Sequence, residues 1–184
     1  MTDKPTDQED AYFRKQDQEL RQRLRDQLST AAGDLKQRQG SELSIPQRLE
    51  ALGFAGAKLQ VFDLMPLIHV AWADGSVSRR EKTAILDVVR ERGIAPGSDA
   101  YLLVETLLEA RPAEQFLTES LAILRDVIGD ARAENIVELC LQVANASGGF
   151  MNIGAVSPDE RRQIEAIAGK LGPAALDAFH RELG

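Results

Sequence analysis

Four carboxylates hold the chemistry that this sequence offers: Asp74 and Glu81 in Asp74-Gly75-Ser76-Val77-Ser78-Arg79-Arg80-Glu81, and Asp159 and Glu160 in Val156-Ser157-Pro158-Asp159-Glu160. Carboxylate oxygens are hard donors, so acids gathered in one place suit calcium, magnesium or manganese. Each glutamate also closes a Ser-x-x-Glu capping box, in which the serine oxygen accepts from the third helical N–H and the glutamate accepts from the serine N–H. Pro158 fits the first helical position, where its missing donor costs nothing. These residues therefore carry two readings side by side, a helix cap worth about 1 kcal/mol and a cation ligand. The stretch from Asp74 to Glu81 is shorter than an EF-hand loop and lacks its alternating acids.

Other reactive residue types are sparse. His69 and His180 are the two histidines and Cys140 the one cysteine, so the spacings of a zinc site are missing and an internal disulfide is impossible. Leu139 and Leu141 around Cys140 predict a buried, inert thiol. No Ser/His/Asp set, phosphate-cradling glycine loop or glycosidase-type carboxylate pair stands in the context those reactions require. The expectation is a protein that is not an enzyme, with a divalent cation as its one candidate cofactor.

A repeat positions the acids. Val70-Ala71-Trp72-Ala73-Asp74-Gly75 has an imperfect copy in Val143-Ala144-Asn145-Ala146-Ser147-Gly148, followed by an insert and then by Val156-Ser157-Pro158-Asp159-Glu160. Beyond each glutamate the copies stay in register: Lys82 with Arg161, Ile85 with Ile164, Val88 with Ile167 and Gly93 with Gly172. Such self-similarity predicts two equivalent helix-turn-helix units. The predicted fold is an all-α, compact helical bundle with pseudo-twofold character, in which Asp74, Glu81, Asp159 and Glu160 converge. Helical periodicity after Pro46, broken at glycines and prolines, predicts helices at about 46–52, 55–73, 78–92, 98–110, 112–128, 132–147, 157–171 and 173–183. No alternating β-branched run competes with them. Trp72 shares its predicted helix with Phe62, Met65, Leu67 and Ile68 and is expected in the core.

From Glu9 to about Gln39 the chain is polar, with a thin stripe at Tyr12, Phe13, Leu20, Leu24, Leu28 and Leu35 that predicts an extended N-terminal helix. Glycine, serine and the constraint before Pro46 mark Gly40 to Pro46 as a linker. The chain thus divides into a polar helical extension, 1–45, and an all-α domain, 46–184. Residues 1–40 carry eight basic and eight acidic side chains, so the whole net charge of −7 lies beyond them. That acidic balance argues against nucleic acid as a partner, since clustered Lys and Arg would have to neutralise phosphates. The longest uncharged apolar stretch, Leu64 to Ala73, is about half the length needed to cross a bilayer, so no membrane span is expected. A polar start without a signal-peptide pattern, together with the lone cysteine, predicts a cytoplasmic protein.

Trp72-Ala73-Asp74-Gly75 followed by Val77-Ser78-x-x-Glu81 resembles the signature of the TerB-like superfamily, which includes the tellurite-resistance protein TerB and a domain of the co-chaperone DjlA. The resemblance covers about residues 55–184. It implies a compact bundle with internal pseudo-symmetry, an acidic metal site, and a bacterial role in stress response or in assembly with partner proteins. Asp74 and Glu81 match the acidic signature in the first repeat and Glu160 matches it in the second. Ser147 stands where the second copy would carry Asp, and Gly149 to Ala155 lengthens its turn, with Asn145 and Asn152 as neutral oxygen donors. The loop from Gly148 to Gly154 reads equally as an exposed binding element or as cover over its own core.

Glu9-Asp10-Ala11-Tyr12-Phe13-Arg14 with Glu19-Leu20 is similar to the inhibitory segment of the mitochondrial F1-ATPase inhibitor family, whose helix inserts between catalytic subunits. The histidines behind that family's pH switch have no counterpart in this region. Two functions follow as expectations: a non-enzymatic module that binds a divalent cation or a partner protein through its acidic face, with the N-terminal helix as a recruiting or dimerising arm; and, as the alternative, a helical regulator of an ATPase. A J-type His-Pro-Asp tripeptide is missing, so any chaperone link would run through another protein.

Overall fold

Pro66 decides where the central helix begins. A proline inside a helix removes one backbone donor and collides with the carbonyl four residues earlier, but the first turn tolerates it. In the computed structural model, which describes residues 7–37, 43–147 and 156–183, the span read as one helix over 55–73 is accordingly two elements. A 3-10 segment, Gly56–Leu64, is followed by helix α3, Met65–Ala71, with Pro66 in its first turn. All seven residues of α3 are buried, as suits a helix that is apolar on every side.

The other elements lie close to their predicted positions: α1 (Asp7–Gln37), α2 (Ile45–Ala51), α4 (Arg79–Glu91), α5 (Asp99–Glu109), α6 (Glu114–Val127), α7 (Asp130–Ser147), α8 (Pro158–Leu171) and α9 (Pro173–Leu183). Among the described residues there is no strand, and the protein is an all-α bundle. No single helix among them is long and apolar enough to cross a membrane.

The helices of the two sequence copies pack crosswise. α3 lies against α8 and α4 against α7, while α9 closes over α7 and α8. One continuous core runs through these elements, and Phe54 joins it to the 3-10 segment and α6 by an edge-on contact with Phe62 and a stacked one with Phe116. Cys140 is fully buried there, and burial pushes its thiol pKa up. His69 is buried too, with Nε2 2.9 Å from the Leu117 carbonyl oxygen of α6. Burial is the largest cause holding its pKa down to about 4, so the ring is neutral at pH 7.

α1 lies against α2, α5 and α6. Of the leucine stripe, Leu24 is buried and Leu28 is half-buried against the core, whereas Leu20 and Tyr12 are exposed. The side chains of Phe13 and Leu35, and the loop from Gly148 to Gly154 with Asn152, lie outside the described residues.

Candidate functional site at two capped helix starts

The starts of α4 and α8 are built alike. Ser78 and Ser157 occupy the N-caps with extended backbones, φ/ψ −69/158 and −63/155. Each hydroxyl accepts from the glutamate N–H three residues on, at 3.2 Å in both. Each glutamate returns the bond, with Oε2 accepting from Ser78 N–H at 2.7 Å and from Ser157 N–H at 2.8 Å. Both capping boxes predicted from the sequence are formed.

Helical spacing explains why these two acids are buried. Glu81, Ile85 and Val89 fall four apart on α4, and Glu160, Ile164, Ala168 and Leu171 follow the same rhythm on α8. Each glutamate therefore opens the core-facing stripe of its helix, and only 4% of Glu81 and 6% of Glu160 is exposed. Asp159 sits one residue off that stripe and is exposed, paired with Arg162. Asp74 is exposed as well, in the turn after α3. Its Oδ1 accepts from Ser76 N–H at 2.9 Å, a local turn that Gly75 completes at φ +92°, where a side chain would be strained.

Glu81 is where these acids meet electrostatically. Burial is the largest force pushing its pKa above the ordinary glutamate range; the bonds from Ser78 oppose the rise, and the charges of Glu160 and Asp74 add to it. Two acids from the first copy and one from the second thus bear on one neighbourhood. Among the described residues, however, no three His, Cys, Asp or Glu side chains gather tightly enough to hold one ion.

Several contacts that fix this corner were not foreseen from the sequence. Trp72 is half-buried, and its Nε1–H donates to the Leu107 carbonyl oxygen of α5 at 2.9 Å, tying the end of α3 to that helix. Lys82, beside Glu81, reaches Glu109 Oε1 at 2.9 Å. Glu109 also receives Arg21 Nη1 of α1 at 2.7 Å, while Arg21 Nη2 bonds Glu105 at 3.1 Å. The readable signals are the i,i+4 pairs Arg21/Arg25, Leu24/Leu28 and Glu105/Glu109, which share faces of their helices.

The family model described as tellurite resistance protein TerB matches residues 62–178, a span that holds both capped corners. The chain belongs to the TerB family. The matched part of this TerB-family protein runs from the end of the 3-10 segment into α9 and leaves α1 and α2 outside it. Comparison with curated proteins and with solved structures gives no match.

Proposed function

We propose that this TerB-family chain is a non-enzymatic stress-response module of the tellurite-resistance type, which binds a divalent cation at its acidic corner and a partner protein through α1. The observation that carries the cation reading is the buried Glu81 carboxylate, held against the like charges of Glu160 and Asp74. Buried like charges cost stability, and a bound cation would offset that cost. Asp159, taken up by Arg162, has the weakest claim among the four candidate ligands.

Few protein ligands place the affinity at the weak end of the calcium range, Kd on the order of 10⁻⁴ to 10⁻³ M. Titration calorimetry with calcium, magnesium and manganese chlorides tests this on the full chain. Heat of binding is expected for the wild type and is lost in Glu81→Gln, which keeps the cap while removing the charge. No heat from the wild type at millimolar cation would end the cation reading.

The ATPase-regulator reading rests on the exposure of Tyr12 and Arg14 near the start of α1. A peptide of residues 5–40 should then slow a bacterial F1 preparation at micromolar concentration, and unchanged turnover would dispose of it.

A further inference from the structure

α1 meets the bundle through a small apolar contact ringed by charge. Among its described side chains Leu24 alone is buried, with Leu28 partly so. Around them stands a clamp: Arg21 on Glu105 and Glu109, Arg25 on Glu109 at 3.6 Å, and Asp17 holding Arg21 Nε at 3.0 Å. The sequence Arg21-x-x-Leu24-Arg25-x-x-Leu28 puts both arginines and both leucines on adjoining lines of the helix.

A cleft lies beside this contact. It measures about 350 Å³ and separates α1 from the turn between α5 and α6, walled by Arg25, Leu28, Leu107, Pro112 and Phe116. Arg25 Nε is buried without a hydrogen-bond partner. α1 is also longer than either helix it lies on in the TerB-matched part: its 31 residues extend about 46 Å, whereas the 11 of α5 and 14 of α6 extend about 16 and 21 Å. Tyr12 and Leu20, in its first half, remain exposed. The acceptor face itself is matched to the TerB family while the arm lies outside the match.

We propose that α1 is an exchangeable arm: the α5–α6 face that seats the α1 of its own chain also seats the α1 of a second copy, with Glu105 and Glu109 recognising Arg21 and Arg25. This rests on the reading of α1 as a partner-binding element and names the partner; it is independent of the cation. The complementarity that an exchanged pair needs is already formed within one chain, so closed monomer and exchanged dimer share the same contacts. Concentration then sets the balance, since exchange of an identical element creates no new interface chemistry.

Charge reversal between chains tests the proposal. One full-length variant carries Arg21→Glu and Arg25→Glu, the other Glu105→Arg and Glu109→Arg. Within either variant arm and face repel, whereas opposite charges meet again only across a mixed pair. Light scattering at micromolar protein and low salt should give the monomer mass for each alone and twice that mass for the equimolar mixture, reverting in high salt. A mixture that stays monomeric while both variants keep wild-type helical circular dichroism overturns the proposal. Should either variant fail to fold, wild-type chains labelled separately at Tyr12→Cys are mixed in high salt and returned to low salt. Energy transfer between donor and acceptor chains is then expected, and its absence refutes the exchange equally.

Discussion

Neighbouring residues in the first turn of α4 take part in two opposite electrostatic arrangements. Glu81 points into the core, where Glu160 and Asp74 add like charge to a buried carboxylate. Lys82 points outward to Glu109, where opposite charges from α1, α4 and α5 meet in a partly exposed cluster. Burial pushes the Glu109 carboxyl up, yet its bonds from Lys82 and Arg21 outweigh that and hold its pKa below the usual range. The first arrangement costs the fold stability, and the second adds little, because exposed ion pairs contribute only about 0.2–1 kcal/mol. Their difference separates roles: the buried acids close the caps of α4 and α8 at a cost in like charge, and the exposed pairs tie α1 to α4 and α5.

The largest effect to separate from this comparison comes from His69, on the helix that leads into Asp74. Its pKa is about 4 in the fold against 6.5 for the ordinary group, so the neutral ring is favoured when folded. Its contribution is complete above pH 6.5 and is lost as pH falls toward 4, about 3 kcal/mol over that window. Urea unfolding across pH 4–7 should show this decline in the wild type and a flatter profile in His69→Gln. Equal slopes would mean that another group carries the acid sensitivity.

Next in size are the caps. Ser78→Ala and Ser157→Ala should each cost about 1 kcal/mol, and similar values from the two would establish that the corners are equivalent as caps whatever their difference in charge. A cost at one end only would break the parallel between them.

The clamp comes third. Glu109→Gln should lower stability by less than about 1 kcal/mol at low salt, and the difference from wild type should shrink in high salt as exposed charges are screened. A salt-independent loss would mean that α1 is seated by packing instead.

The smallest expected change in stability, and opposite in sign, is that of Glu81→Gln. Glutamine keeps the capping bond to Ser78 N–H. A carboxyl whose pKa is raised in the fold favours the protonated state there, so its contribution is present at low pH and is lost as pH rises through the folded-state pKa. Glu81→Gln removes that loss. At pH 7 the variant should equal or exceed wild type in stability, and the gap should close as pH falls below the ordinary glutamate range. Destabilisation at pH 7 would contradict the picture of a strained charge.

Much of this was legible in the sequence because helices write their faces at a period near 3.6. The capping boxes, the α4 and α8 stripes and the buried Cys140 follow from local pattern alone. The structure departs from the single helix predicted over 55–73 because apolar residues continue through Gly56–Leu64 in a 3-10 form and Pro66 sits in the first turn of a new helix. Trp72 has the composition of a core residue, but its indole N–H needs an acceptor and finds one on α5, a partner 35 positions away that periodicity cannot name. The arm's seat is likewise a long-range fact: Arg21 and Glu109 are 88 residues apart. For the acids, the core-facing register of Glu81 and Glu160 was there to be read, and so was the outward position of Asp159, one residue off the stripe. Their mutual distance depends on how α3, α4, α7 and α8 cross.

The most direct measurement is the pH titration of the Glu81 carboxyl carbon by NMR, in the wild type and in Glu160→Gln. Glutamine at 160 preserves the cap of α8, so only a charge is removed. The midpoint for Glu81 should lie above that of an exposed glutamate in the wild type and move down in the variant. An unchanged midpoint would mean that the two corners do not sense each other, and the shared acidic neighbourhood would be refuted.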